Sequence, residues 1–291
     1  MKQRRSSSLV ALLAAPAMLW LVVLFLIPLA FVVGLGFFSN GEFGEIERPL
    51  TLENYARFLG FGSFGWEPLY PVIIAHSLAL AALTMLLCLL CGLPLAFWIS
   101  SLPARWKIFA LTLVVIPLWT NLLVRTYAWQ LLLAKDGLLA HAAATLGLVK
   151  AGEPLYPSLF AVCLGLVCDY LPFLVLPLYA SVEKIDWSLA EAARDLGASS
   201  GKVFYHAILP QITPGLAAGV TLVFVPATGQ FVIPDLLGGA KTVLLGNVIQ
   251  QQFGAGQNWP FGSAIATVAM LVVLLALWLN ARVTRRKGEV L

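Results

Sequence analysis

Charge is what this 291-residue sequence has least of: Asp, Glu, Lys and Arg make up 11% of it. A soluble domain carries about 25%, so too few polar residues are present to cover a water-facing surface. With 60% hydrophobic residues and a mean hydropathy of +0.90, a soluble globular enzyme is excluded. Histidine is scarce as well, and His76, His141 and His206 share no ligand spacing. No Ser/His/Asp set can be placed on one aqueous face, so the sequence offers neither catalytic residues nor a metal site. The four cysteines, Cys88, Cys91, Cys163 and Cys168, all fall in apolar runs. Cys88-x-x-Cys91 lacks the second pair and the polar shell of a zinc or redox motif, so these thiols read as packing residues with no disulfide framework.

What is abundant is long apolar sequence. Crossing a hydrocarbon core of about 30 Å takes about 20 helical residues, because every backbone polar group must be satisfied within the segment. Six stretches meet that length: 9–38, 76–101, 108–133, 158–183, 211–233 and 263–281. The expected fold is all-α, a polytopic membrane protein of six transmembrane helices. Pro16 and Pro28 mark break points in the long first stretch, and Gly92, Pro94, Pro117, Pro172, Pro177 and Pro226 suggest kinks in later ones. Lys2, Arg4 and Arg5 followed by an apolar run resemble a secretory signal, with Ala15-Pro16-Ala17 in the place of a cleavage site. Hydrophobicity continues well past that point, which favours a retained anchor.

The cations set the direction. With a cytoplasmic N-terminus (1–8), the inside segments hold twelve of them: Lys2, Arg4, Arg5, Arg105, Lys107, Lys184, Arg194, Lys202, Arg282, Arg285, Arg286 and Lys287. The outside loops hold five: Arg48, Arg57, Lys135, Lys150 and Lys241. Both termini, including 282–291, are therefore expected in the cytoplasm. Cations dispersed over short inside segments give no support to a nucleic-acid partner.

The outside loop 39–75 is acidic, with Glu42, Glu45, Glu47, Glu53 and Glu67 against Arg48 and Arg57. It reads either as a cation-attracting rim or as a translocated loop short of Lys and Arg, and Leu50–Leu59 as a short amphipathic helix at the interface. Loops 134–157 and 234–260 are rich in Gly and Pro, which favours tight turns or re-entrant backbone. The inside loop 184–210 is different, because it gathers Lys184, Asp186, Glu191, Arg194, Asp195, Lys202 and His206. Asp186-Trp187-Ser188 supplies caps for a helix over Leu189–Leu196, Gly197 ends it, and Ser199-Ser200 starts a second short helix before Pro210 opens the fifth span. Leu189, Ala192, Ala193 and Leu196 recur at helical spacing and give this knob an apolar face for a partner. Gly197–Val203 mimics a phosphate-binding loop, but three residues instead of four separate its glycines and Val follows Lys202. No nucleotide is expected on this chain.

That loop also carries a resemblance. Glu191-Ala192-Ala193, three residues, Gly197, nine residues and then Ala207-Ile208-Leu209-Pro210 resembles the cytoplasmic EAA signature of ABC-importer permeases, with Ala207 where the familiar form has Ile. Further stretches look like the spermidine/putrescine branch of that family. They are Leu123–Trp129, Tyr170–Phe173 with Leu176–Ser181, Gly229–Pro234 with Leu237–Gly239, and Gly246–Ile249 followed by Gln252-Phe253 and Asn258–Pro260. The resemblance implies a type I ABC-importer permease fold in the bacterial inner membrane and a second permease subunit, commonly non-identical. It implies an ABC ATPase dimer that binds ATP and Mg, and a periplasmic or extracytoplasmic solute-binding protein. It also implies that Glu191, Ala192, Ala193, Arg194, Asp195, Gly197, Leu209 and Pro210 form the ATPase-coupling site. The cargo it suggests is a polyamine, with an opine, a phosphonate or ferric ion as the alternative. A gradient-driven secondary transporter is the reading the EAA frame argues against.

Ionisable groups inside spans cost at least about 2.5–3.5 kcal/mol on insertion scales and therefore have partners or a water-filled path. The clear cases here are Arg125 and Asp169. At the helical rise they lie about 12 Å and 16 Å from the outer ends of their spans, a depth at which they can pair. One reading places Asp169 with Tyr170, Tyr127 and Trp129, and Gln230 further on, along a path for an organic cation. The other is a structural Arg–Asp pair. Gln230 stands where many relatives of the branch carry an acidic residue.

Overall fold

A computed structural model of the chain describes residues 15–16, 18–41, 46–62, 65–150, 152–239 and 243–288. The expected cytoplasmic N-terminus 1–8, Glu42, Glu45 and Lys241 lie outside the described residues, as does the end of the 282–291 segment from residue 289. Five helices among the described residues are long and apolar enough to cross a membrane, and a sharply bent pair makes six when counted as one span. The chain divides into two compact units, 1–71 with 248–271 and 72–247 with 272–291.

The first unit begins with α1 (Met18–Leu35). Pro28 does not break it, because a π-type turn over Val22–Leu26 precedes the proline and absorbs its missing N–H. The described residues of the 39–75 loop are folded. Two antiparallel hairpins form it, β1 (Phe38–Asn40) with β2 (Ile46–Leu50) and β3 (Phe61–Gly62) with β4 (Gly65–Trp66), with α2 (Glu53–Phe58) between them. The side-chain amide of Asn54 donates to the carbonyls of Gly36 (3.0 Å) and Phe38 (2.7 Å), which fixes α2 against the end of α1. Phe58 is buried against Tyr70, which meets the Phe261 ring edge-on at 5.0 Å, while Arg57 lies over Phe261 at 4.6 Å. The expected interfacial helix therefore turns its Phe58 into the unit, leaving Leu50, Leu52 and Leu59 exposed.

The second unit is built around α7 (Leu159–Val182), whose Leu166, Leu174, Leu178 and Val182 are buried. Along it runs α9 (Ser200–Gly229). The approach of the two helices depends on glycine: a Cβ at Gly219 would stand 2.9 Å from Leu174 Cδ1, and one at Gly215 would strike Ser181 and the carbonyl of Pro177. Two further long helices enter this unit, α3 (Leu69–Ser101), which begins earlier than expected for 76–101, and the end of the last helix, from Val272 on.

Two sequence expectations need correction. A single helix over 108–133 is not formed. Instead α4 (Ala104–Val115) passes into a 3-10 turn at Ile116–Trp119 and restarts as α5 (Leu122–Leu133), with a bend of 99°. Pro117 removes a backbone donor, Thr120 is extended, and the Asn121 side chain accepts from the N–H groups of Leu123 (2.8 Å) and Val124, which caps a new helix. The second correction concerns 211–233. Pro210 does not open that helix, because α9 already starts at Ser200 and continues through a π-type turn at Phe204–Ile208. It ends at Gly229, and the short α10 (Val232–Gly238) follows. The chain further includes α6 (Leu138–Thr145), α8 (Trp187–Asp195), α11 (Leu245–Phe253) and α12 (Trp259–Gly288).

Candidate functional site

The 184–210 loop is a well-defined knob. Asp186 caps α8, its carboxylate accepting from the Ser188 hydroxyl (2.7 Å) and N–H (3.0 Å); these bonds hold the carboxyl below the usual aspartate range. The far end closes in a Schellman motif: Gly197 N–H donates to Arg194 O and Ala198 N–H to Ala193 O, with Gly197 at φ +80°. Nothing crowds Gly197, so it is the left-handed backbone that calls for glycine there.

A small apolar core of Ala190, Ile185, Val203, Ile208 and Ile212 with Ala96, Leu178 and Val182 seats the knob on α3, α7 and α9. Gln211 is the polar clamp. It accepts from Asp186 N–H (2.8 Å) and donates to Ala207 O (2.7 Å). Glu191, Ala192, Arg194 and Asp195 face outward, whereas Ala193, Leu209 and Pro210 are half-buried supports. The apolar face expected from Leu189, Ala192, Ala193 and Leu196 is thereby corrected. Ala193, about 40° round the helix from Leu189 and about 60° from the buried Ala190, is half-buried against the knob's core, leaving Leu189, Ala192 and the 89%-exposed Leu196 outermost.

At the C-terminal end of α7, Lys107 at the start of α4 donates to Glu183 (2.7 Å), and Ser100 at the end of α3 donates to its other oxygen (3.2 Å). The Lys107 ammonium lowers the Glu183 carboxyl from its ordinary value, with Ser100 contributing. Sequence reasoning put Lys107 in an inside segment and Glu183 at the end of the 158–183 span, and missed their contact. The available signal was their opposite signs at neighbouring span ends.

Deeper in the unit, Arg125 and Asp169 form an ion pair with side chains 17% and 11% exposed. The guanidinium also donates to Pro117 O and Thr120 Oγ1, both on the other side of the 99° break. Tyr170, buried beside Asp169 in sequence, accepts from Gln230 Nε2 at 3.3 Å. Gln230 Oε1 in turn accepts from the N–H groups of Phe231 (3.0 Å) and Val232 (3.2 Å) at the start of α10. Tyr127 stands apart: it is exposed and lies about 200° around α5 from Arg125 at 3.6 residues per turn. Trp129, one turn on from Arg125, lines the same cavity of about 920 Å³, together with Trp98, Trp106, Cys168 and Pro172. No residue pattern pointed to this cavity. Cys88 donates weakly to Val167 O, and no group of His, Cys, Asp or Glu suited to a metal ion is found among the described residues.

Residues 89–289 match the family described as the binding-protein-dependent transport system inner membrane component. Over 273 residues the chain is 39% identical to the spermidine/putrescine transport system permease protein PotB of Escherichia coli strain K12, covering 93% of this chain and 97% of that one. It is 38% identical to the PotB of Haemophilus influenzae, covering 93% of each. The inner membrane ABC transporter permease protein YdcU of Escherichia coli is 30% identical over 92% of this chain and 86% of its own length. Among solved structures, a bacterial ABC transporter that imports the acidic polysaccharide alginate aligns over 98% of both chains, with a TM-score of 0.72 at 16% identity. The MetNI methionine ABC transporter aligns over 76% of this chain and 98% of that one, with a TM-score of 0.55 at 17% identity. These two show the fold, whereas the permeases that are more similar in sequence show the family. A mostly helical chain with a capped, solvent-exposed knob and near full-length likeness to permeases thus belongs to the family of binding-protein-dependent transport system inner membrane components.

Proposed function

We propose that this chain is the membrane-spanning permease subunit of an ATP-driven polyamine importer in the bacterial inner membrane, with both termini in the cytoplasm. The observation that carries the reading is 39% identity across 93% of the chain to a permease named for spermidine and putrescine. The exposed knob supports it: Glu191, Ala192, Arg194, Asp195 and Leu196 form a surface for an ATPase subunit, while Gln211 and the Ala190 core transmit its displacement to α7 and α9. ATP and Mg would be held by that ATPase dimer, solute would come from an extracytoplasmic binding protein, and a second permease subunit would complete the path. The chain itself would translocate without chemistry.

Asp169 is already matched by Arg125, so the pair favours a structural role over a free carboxylate for the cation. Recognition along the path would then rest on aromatic faces and amide or hydroxyl groups, such as Trp129, Tyr170 and Gln230. The test is reconstitution in vesicles with its ATPase, the second permease and the binding protein. ATP-dependent uptake of labelled putrescine or spermidine is expected. Uptake driven by an ion gradient without the ATPase overturns the class, and ATP-dependent uptake of an opine, a phosphonate or ferric ion in place of polyamines corrects the cargo.

A further inference from the structure

The two ion pairs resolved among the described residues share one helix. Lys107 of α4 meets Glu183 at the cytoplasmic end of α7, and Arg125 of α5 meets Asp169 near the middle of α7. Fourteen residues of α7 separate the two contacts, about 21 Å at the helical rise. Both cations belong to the broken span, one on each side of its 99° bend. At such a break the backbone ladder is interrupted, because Thr120 is extended and Pro117 has no N–H, so a push on α4 is not passed to α5 through helical hydrogen bonds. Arg125 bridges the interruption: its planar fork reaches Pro117 O and Thr120 Oγ1 before the bend and Asp169 on α7, while its own backbone lies in α5. Between the two contacts, Ala110 of α4 packs on Val175 of α7, with Val114 and Leu171 beside them.

We propose that these ion pairs are staples, with Arg125 as the positioning residue, that make α4, α5 and α7 move as one body when the 184–210 knob is displaced. This rests on the permease reading above. Glu183 stands three residues before the Asp186–Gln211 clamp, so the cytoplasmic staple is adjacent to the point where displacement enters. The inner staple then carries that displacement past the bend to the segment bearing Trp129, at the wall of the cavity.

The experiment uses the assembled transporter with spin labels on non-canonical residues at the exposed positions Leu131 in α5 and Phe160 in α7, which leaves the native cysteines in place. In the wild type the distance between labels should be narrow and equal in nucleotide-free and ATP-trapped states. Replacing both charges together, Arg125→Met with Asp169→Leu, avoids an orphaned charge and is the gentler way to remove the pair. That variant should give a broadened distance, with uptake down about tenfold while ATP hydrolysis stays within about twofold of wild type. A wild-type distance that changes on ATP trapping overturns the proposal, and this arm needs no substitution. So does a double variant with a narrow distance and full uptake. A raised KM for polyamine with unchanged maximal uptake and distance also overturns it, since the pair would then be a solute contact. If the wild-type complex takes up no solute with ATP, the permease reading fails, whereas the label distribution in the double variant still decides the staple.

Discussion

The two ion pairs on α7 use the same chemistry in opposite surroundings. At the C-terminal end, Glu183 is 41% exposed and shares its carboxylate with Lys107 and Ser100. In the middle, Asp169 is 11% exposed among apolar side chains and faces one guanidinium. Unit charges at 4 Å interact by about 1 kcal/mol in water and about 4 kcal/mol at the effective dielectric of a protein surface. Desolvation makes the contrast sharper, because a buried charge that loses its partner cannot be repaired by water. The lesson is that the inner pair is an obligation of the fold, while the outer one is a staple whose strength depends on salt and pH.

The largest test of that contrast is Asp169→Leu, which strands Arg125. A loss of about 3–5 kcal/mol is expected, read as failed assembly or a much lower thermal midpoint in detergent, with the double neutral variant recovering most of it. If the single variant is as stable as wild type, the inner pair is not an obligation. Next comes Gly197→Val, at the far end of the knob that the outer pair adjoins. A bulky residue at φ +80° costs about 1–2 kcal/mol of local strain, and because nothing crowds the site the protein should still insert. Solute-stimulated ATP hydrolysis should collapse, and normal coupling in this variant would remove the knob from the mechanism.

Glu183→Gln is the smallest of the three. Salt screens an exposed pair, so at most about 1 kcal/mol is expected, and the difference from wild type should vanish in high salt. The same group sets a pH dependence. Its folded value lies below the ordinary glutamate value of 4.5, so its stabilising contribution is complete above that value and is lost as pH falls through the lowered one. Thermal midpoints of wild type and Glu183→Gln should therefore converge in acid, and a gap that widens there would contradict the assignment.

Much of the knob was legible because its determinants are local. Asp186 caps, Gly197 terminates, and the Ala- and Leu-rich stretch between them favours helix. Its outward face was misread at Ala193, since periodicity finds two candidate faces and only packing against Ala96 and Val182 selects one. The pairing of Arg125 with Asp169 was also legible, from the cost of leaving either alone in hydrocarbon. The bend beside it was not. Pro117 signalled a kink, but the cap made by Asn121 turned that kink into a break of 99°.

Hydropathy and the scarcity of charge by themselves determined that this chain resides in a membrane and where its long apolar stretches lie, because the bilayer constrains length and composition residue by residue, but not where those helices start or break. They also singled out the 184–210 loop as the place where water-loving side chains gather. Only the tertiary structure decided that Lys107 holds the end of α7, that Arg125 also grips the carbonyl of Pro117 across the bend, that Tyr127 stands apart from Asp169, and that Gln211 clamps the knob to its helix. Those contacts join residues far apart in the chain, and no local propensity encodes which distant partner satisfies a buried charge or a free carbonyl.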